Sequence, residues 1–309
     1  MLTEGNEEPG SAKLAAEIRL WEQTFFPAIK AGKAQTKKFK SALHKGIPLP
    51  LRARAWETFI GNRARINDKL YMALQKSVEE QVVSCSDQDA FAKNHALIEE
   101  DLHRTFPTLD VFRYGNTLYK PLKQVLLAFS VFRPDLGYVQ GMSFLAGLLL
   151  MHMPEYAAFK CFANLMLQWD LLHEFYQFNM PFVEGAFTTF TELVRERMPA
   201  VQATLDAYSI NCGLYLFEWI VTAFSNSFTL DVSSRIWDSL FFYGELFIFR
   251  VGLAVLKCLD SKIVGAQFEQ AVIYVKNSSK YVSEAELMKA VNDISFKEDK
   301  VRASLDKLK

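Results

Sequence analysis

The sequence predicts an all-α protein. Half of its 309 residues are hydrophobic and 26 of them are Phe, a composition suited to packed helices. From Gly46 onward apolar residues recur at helical spacings almost without a break. The alternating patterns and regular turn signals that strands require are scarce. A chain of this size can remove roughly 75% of its unfolded surface from water, so a sizeable core is available.

In chain order, the acidic, polar residues 1–10 lack the basic and apolar halves of a secretory signal, and a short disordered tail is expected. Leu14, Ile18, Trp21 and Phe25 then recur at steps of four, three and four, which predicts a helix over residues 11–26 folded back on its own domain, with Pro27 helping to end it. Lys30, Lys33, Lys37, Lys38, Lys40 and Lys45 form a loose basic run without interleaved aromatics, expected as a solvated linker. Pro48, Pro107, Pro134, Pro154, Pro181 and Pro199 mark helix ends or first turns, with Pro154 and Pro199 as helix starts. The segments 212–224, 233–243 and 246–259 are so rich in Phe, Trp, Leu and Ile that they must be enclosed on most sides. Ser283 and Glu286 fit a capping box opening a helix to about Val291, and a charged final helix is expected over 295–308.

Several chemistries are excluded. Lys plus Arg and Asp plus Glu both number 35, so no general electrostatic footprint for nucleic acid exists. Cys85, Cys161, Cys212 and Cys258 are scattered singly and read as reduced core residues. The longest strongly apolar stretch, 142–153, falls short of the ~20 residues of a membrane helix. No metal-ligand spacing, Walker loop or dinucleotide-binding turn appears. Gly141-Met142-Ser143 begins like a nucleophile elbow, but Leu145 stands where the closing glycine belongs. A protein that acts on nucleotides without a phosphate cradle must meet them on another protein.

Three segments carry the functional signal. Gly46-Ile47-Pro48 opens a helix on which Arg52 and Trp56 lie one turn apart. In Ile98-x-x-Asp101-x-x-Arg104 the two charged residues are neighbours on a helix surface, and Pro107 disfavours helix at Phe106, so Arg104 projects from the last turn. In Tyr138-Val139-Gln140-Gly141 the glutamine sits where a turn meets a buried helix, with Gly141 leaving space for another chain. Each alone is ordinary: a core Trp, a surface ion pair, a local amide.

Together, in order and spacing, the three segments resemble the signatures of the TBC-domain family of Rab GTPase-activating proteins. The similarity continues through Arg235-Ile236-Trp237-Asp238, the Phe-rich stretch ending at Arg250 and Phe268-Glu269. It covers roughly residues 41–292, leaving 1–40 as a tail with an amphipathic helix and 293–309 as a charged helix. The expected architecture is a single all-α domain of about 15 helices in two lobes, with a groove between the finger helix and the glutamine loop. The resemblance implies that Arg104 is an arginine finger and Gln140 a glutamine finger, both given in trans to a partner's GTP. It further implies that Asp101 orients Arg104, that Tyr138 and Gly141 shape the glutamine turn, that Ile98 anchors the finger helix, and that Arg52 and Trp56 brace the site.

The implied partner is a GTP-bound Rab-family GTPase that carries its own GTP and Mg²⁺, so this chain needs no cofactor or metal. No nucleic acid, no transmembrane segment and at most peripheral membrane association are expected, for a cytoplasmic monomer recruited to endomembranes and regulating vesicle trafficking. The alternative is a catalytically silent scaffold of the same fold, whose mark would be loss of either finger. A helical solenoid would need repeats, and none is present.

Overall fold

The structure, a computed structural model, describes residues 9–84, 86 and 89–308. Among them there is no strand. The expected tail residues 1–8 and Cys85 lie outside the described set. Helix α1 (Pro9–Leu20) continues through a π-helical stretch (Trp21–Phe25) into α2 (Phe26–Lys30). There follow α3 (Lys37–Lys45), α4 (Leu49–Ile60), α5 (Asp68–Ser84), α6 (Ala90–Arg104), α7 (Tyr119–Phe132), α8 (Met142–Leu150) and α9 (Glu155–Gln168). The second half comprises α10 (Asp170–Tyr176), α11 (Met180–Arg197), α12 (Pro199–Ala207), α13 (Gly213–Val221), α14 (Leu230–Tyr243) and α15 (Phe247–Ile263). It closes with α16 (Phe268–Lys276), α17 (Glu284–Asp293) and α18 (Glu298–Asp306).

The described residues thus carry eighteen α-helical segments. Part of the excess over the expected number comes from two single-residue breaks. Trp169, in an extended conformation, separates α9 from α10, and Met198, at φ −138° and ψ 62°, separates α11 from α12.

In the first lobe α7 packs on α5, α6, α8 and α9. In the second, α15 packs on α12, α13, α14, α16 and α17. Helix α14 reaches back to α3 and α4 and joins the two. One continuous core runs through both, from Trp21 to Leu305. The Phe-rich segments deliver what their composition demands: α8 is buried at every position, and most of α15 is.

Two local expectations are corrected. Pro27 does not end the first helix. Trp21, Phe25 and Phe26 are all buried, with the Trp21 and Phe25 rings 5.7 and 5.3 Å from Phe39, so tertiary packing holds the helical course. The proline is accommodated by the wider π turn before it, in which the Phe26 N–H donates to the Trp21 carbonyl five residues back. Leu14, expected in the same stripe, stays 43% exposed.

The lysine run is not a linker beyond Lys37. Thr36 caps α3 by accepting from Phe39 N–H, and Phe39 and Leu43, one turn apart, are buried while Lys37, Lys38 and Lys45 remain outside. The capping box at Ser283 and Glu286 forms as read, both halves present.

Candidate functional site

Helix α6 carries the second of the three segments, Ile98-x-x-Asp101-x-x-Arg104. Asn94, Ile98 and Asp101 follow at steps of four and three, one inward-facing stripe; Ile98 is fully buried and Asp101 is 2% exposed. Arg104 is the last residue of the helix, where the exposed carbonyl ends favour a cation. Its Nε donates to Asp101 Oδ1 at 2.6 Å, and its Nη2 pairs with the same oxygen. The chain then leaves the helix sharply, with Phe106 in the left-handed region at φ +44° before Pro107. Thr105 secures this exit, its hydroxyl bonding both the Asp101 carbonyl and the Ser143 hydroxyl at 2.7 Å.

The turn before α8 is built on the same carboxylate. Tyr138 donates its hydroxyl to Asp101 Oδ2, and the Gly141 N–H donates to that oxygen at 3.3 Å. The Tyr138 N–H donates to Asn94 Oδ1 at 3.1 Å. Burial first, and then the Asp101 charge, push the Tyr138 hydroxyl far above its ordinary range, so it remains a donor at any physiological pH. Gly141 has φ +101°, and a Cβ there would meet only Val221 and Thr222 at ordinary contact distances of 3.6 and 3.9 Å. Within this chain glycine is thus favoured here by backbone conformation, since a Cβ would find room among its own neighbours. Gln140, between Tyr138 and Gly141, is left exposed, as is Arg104.

Arg104, Val139, Gln140 and Gly141 line one wall of a groove of about 520 Å³; the rest of the lining includes Phe178 of the α10–α11 turn, Phe217 and Glu218 of α13, and Asn226 of the segment after it. The end of α6 and the glutamine turn both contribute to this lining, held to one another through Asp101, and residues of the second half complete it.

Arg52 and Trp56 are placed elsewhere. Arg52 Nε and Nη2 donate to the two oxygens of Asp238 at 3.0 and 3.1 Å, Trp56 Nε1 to Oδ1 at 2.9 Å, and Ile47 N–H to Oδ2 at 2.9 Å. Burial drives the Asp238 carboxyl up, while Arg52, Ile47 and Trp56 pull it back. The Trp56 ring also meets His152, just past the far end of α8 from Gln140. The first segment and Asp238 therefore form a buried network tying α4 to α14, and neither Arg52 nor Trp56 lines the groove.

Asn94 and Thr105 were not singled out in the sequence, and Ser143 entered only as part of a rejected nucleophile-elbow match. Asn94 had a legible signal, a polar residue in the same stripe as Ile98 and Asp101; the rest of the groove lining had none. Among the described residues no group of His, Cys, Asp and Glu could hold a metal, and no helix is long and apolar enough to cross a membrane. Cys161 and Cys212 are buried and Cys258 is half-buried; burial pushes the Cys258 thiol to about 11 and Cys161 to about 12, so neither is a nucleophile at neutral pH.

The model of the Rab-GTPase-TBC domain matches residues 50–264. TBC1 domain family member 12 of Xenopus tropicalis is 30% identical over 268 residues, covering 82% of this chain and 39% of that protein. Drainin of Dictyostelium discoideum is 27% identical, over 94% of this chain and 76% of its own length. The chain spans about two fifths of the length of the TBC1 domain relatives it matches. Among solved structures, the Chlamydomonas flagellar RabGAP TBC domain superposes with a TM-score of 0.72 at 24% identity, covering 91% of this chain and 94% of that one. The Ypt/Rab-GAP domain of Gyp1p gives 0.70 at 15% identity, covering 90% and 96%; both likenesses speak to the fold.

Proposed function

Because the chain belongs to the Rab-GTPase-TBC domain family, we propose that it accelerates GTP hydrolysis by a Rab-type small GTPase, inserting Arg104 and Gln140 beside the partner's bound GTP. The observation that carries this reading is the joint hold of Asp101 on Arg104 and on the turn bearing Gln140. One buried carboxylate presents both exposed side chains on the same wall of one open groove.

The chemistry suits these groups. A small GTPase is slow because too little positive charge meets the transferring phosphoryl group and because its attacking water is poorly oriented. The Arg104 guanidinium, planar and permanently charged, stabilises the equatorial oxygens as charge develops. In arginine-finger systems such a group contributes roughly 10³ to 10⁵ in rate, or about 4 to 7 kcal/mol. The Gln140 amide accepts from the water through its carbonyl and donates through its NH₂. A carboxylate there would be repelled by the phosphates. GTP and Mg²⁺ arrive as part of the partner, and the outcome is a GTPase returned to its GDP state, which places the protein in the control of vesicle trafficking.

Single-turnover GTP hydrolysis by a panel of Rab GTPases tests this, with wild-type protein and with Arg104→Ala and Gln140→Ala. Acceleration of one or a few members, abolished by both substitutions, is expected. Binding to GTP-loaded members without acceleration of any would identify a scaffold instead.

A further inference from the structure

The groove has a second wall that does no chemistry on phosphate. Phe178, in the α10–α11 turn, is 55% exposed and stacks on Phe217 of α13 with ring centroids 6.2 Å apart and planes 21° from parallel. Phe178 is held at φ +53°, a left-handed conformation uncommon for a bulky residue. Met180, two residues further on, and Leu214, three residues before Phe217 on α13, are 51% and 41% exposed. On α13, Leu214, Phe217 and Glu218 lie at steps of three and one, sharing the outward face. Glu218 is exposed and accepts from Asn226 Nδ2 at 2.9 Å. Phe217 is half-buried and rests on buried Phe175, ring centroids 5.5 Å apart, whereas Phe178, Met180 and Leu214 display apolar surface that the core leaves uncovered.

We propose that this shelf selects the partner: Phe178 and Phe217, with Glu218 at their edge, dock an exposed apolar side chain of the GTPase that has a Lys or Arg next to it. The inference rests on the reading of Arg104 and Gln140 as the groups that meet GTP. A protein that brings its nucleotide to that wall must lie across the groove and cover Phe178 and Phe217, which line the same space. The two walls differ in charge. Arg104 suits phosphate, whereas Glu218 repels it and suits a cation. The partner is thereby oriented, with phosphate toward α6 and a basic residue toward α13. Segments of a GTPase near its nucleotide change order with the γ-phosphate, so an apolar contact there also favours the GTP-loaded form.

The test uses the full chain and a Rab that wild type accelerates. Rates against GTPase concentration separate KM from kcat for wild type, Phe178→Ala, Glu218→Lys and Arg104→Ala. Phe178→Ala should raise KM about tenfold, the scale of truncating an aromatic anchor, while kcat at saturation stays within about twofold. Glu218→Lys should also raise KM, and a GTPase variant with the matching basic residue changed to Glu should restore it. Arg104→Ala should lose kcat instead. Unchanged KM in both shelf variants, with Arg104→Ala inactive, overturns the shelf and leaves the finger reading standing; no acceleration of any Rab by wild type overturns both. Should sedimentation show a dimer of this chain that Phe178→Ala dissociates, the shelf serves self-association and the proposal fails.

Discussion

Tyr138 donates its hydroxyl to the carboxylate that grips Arg104, so Asp101 couples the end of α6 to the turn before α8. Each of its oxygens serves a different element: Oδ1 takes the guanidinium, and Oδ2 takes the Tyr138 hydroxyl and the Gly141 N–H. Removing Tyr138 OH alone is the mildest way to weaken this coupling. Tyr138→Phe should cost about 1.5 to 3 kcal/mol, the worth of a hydrogen bond to a charged group, and should lower GTPase activation less than Arg104→Ala does. Chemical denaturation and single-turnover assays on the same preparation check both; full activity with lost stability would confine Tyr138 to a folding role.

Gly141 offers a separate handle on the glutamine turn. Its φ of +101° suits glycine, yet a Cβ would find room. Gly141→Ala is therefore expected to fold with a penalty of about 1 to 2 kcal/mol from backbone conformation. The relaxed turn would aim Gln140 differently, so kcat should drop while KM holds. A variant with unchanged kcat would detach the turn from catalysis.

The Asp238 network predicts a stability effect without a direct catalytic one. Asp238→Ala leaves the buried Arg52 charge unpaired together with the Ile47 and Trp56 donors, a loss of about 3 to 5 kcal/mol. Replacing Arg52 with Met in the same molecule should recover part of it, because the stranded charge is gone. Thermal melts of the single and double variants decide; an additive or worsened double variant would contradict the network.

Acid should loosen the same region through His152. Burial, and then the Arg52 charge, lower its pKa from 6.5 to about 4. In that window the unfolded chain holds the proton and the folded one does not. His152 therefore favours the folded state fully above about pH 6.5, and this contribution is lost as pH falls toward 4, by up to about 3 kcal/mol. Denaturation free energies of wild type and His152→Gln between pH 7 and 4.5 should diverge accordingly. Parallel curves would place the acid sensitivity elsewhere.

The amino-acid sequence by itself determined the all-helical fold, the buried helices α8 and α15, the capping box at Ser283 and the end of α6 at Arg104, because spacing, caps and prolines act within a few residues of one another. The pairing of Asp101 with Arg104 was legible for the same reason: residues three apart on a helix are neighbours whatever the rest of the chain does. Tertiary structure decided what joins distant stretches. It carried the first helix past Pro27, sent Arg52 and Trp56 to Asp238, made Asp101 the common holder of Arg104 and of the turn that bears Gln140, and brought Phe178 and Phe217 to the same groove. Those outcomes depend on which buried donors reach which carboxylate, and on which apolar faces find a partner in the core, and no local spacing encodes either.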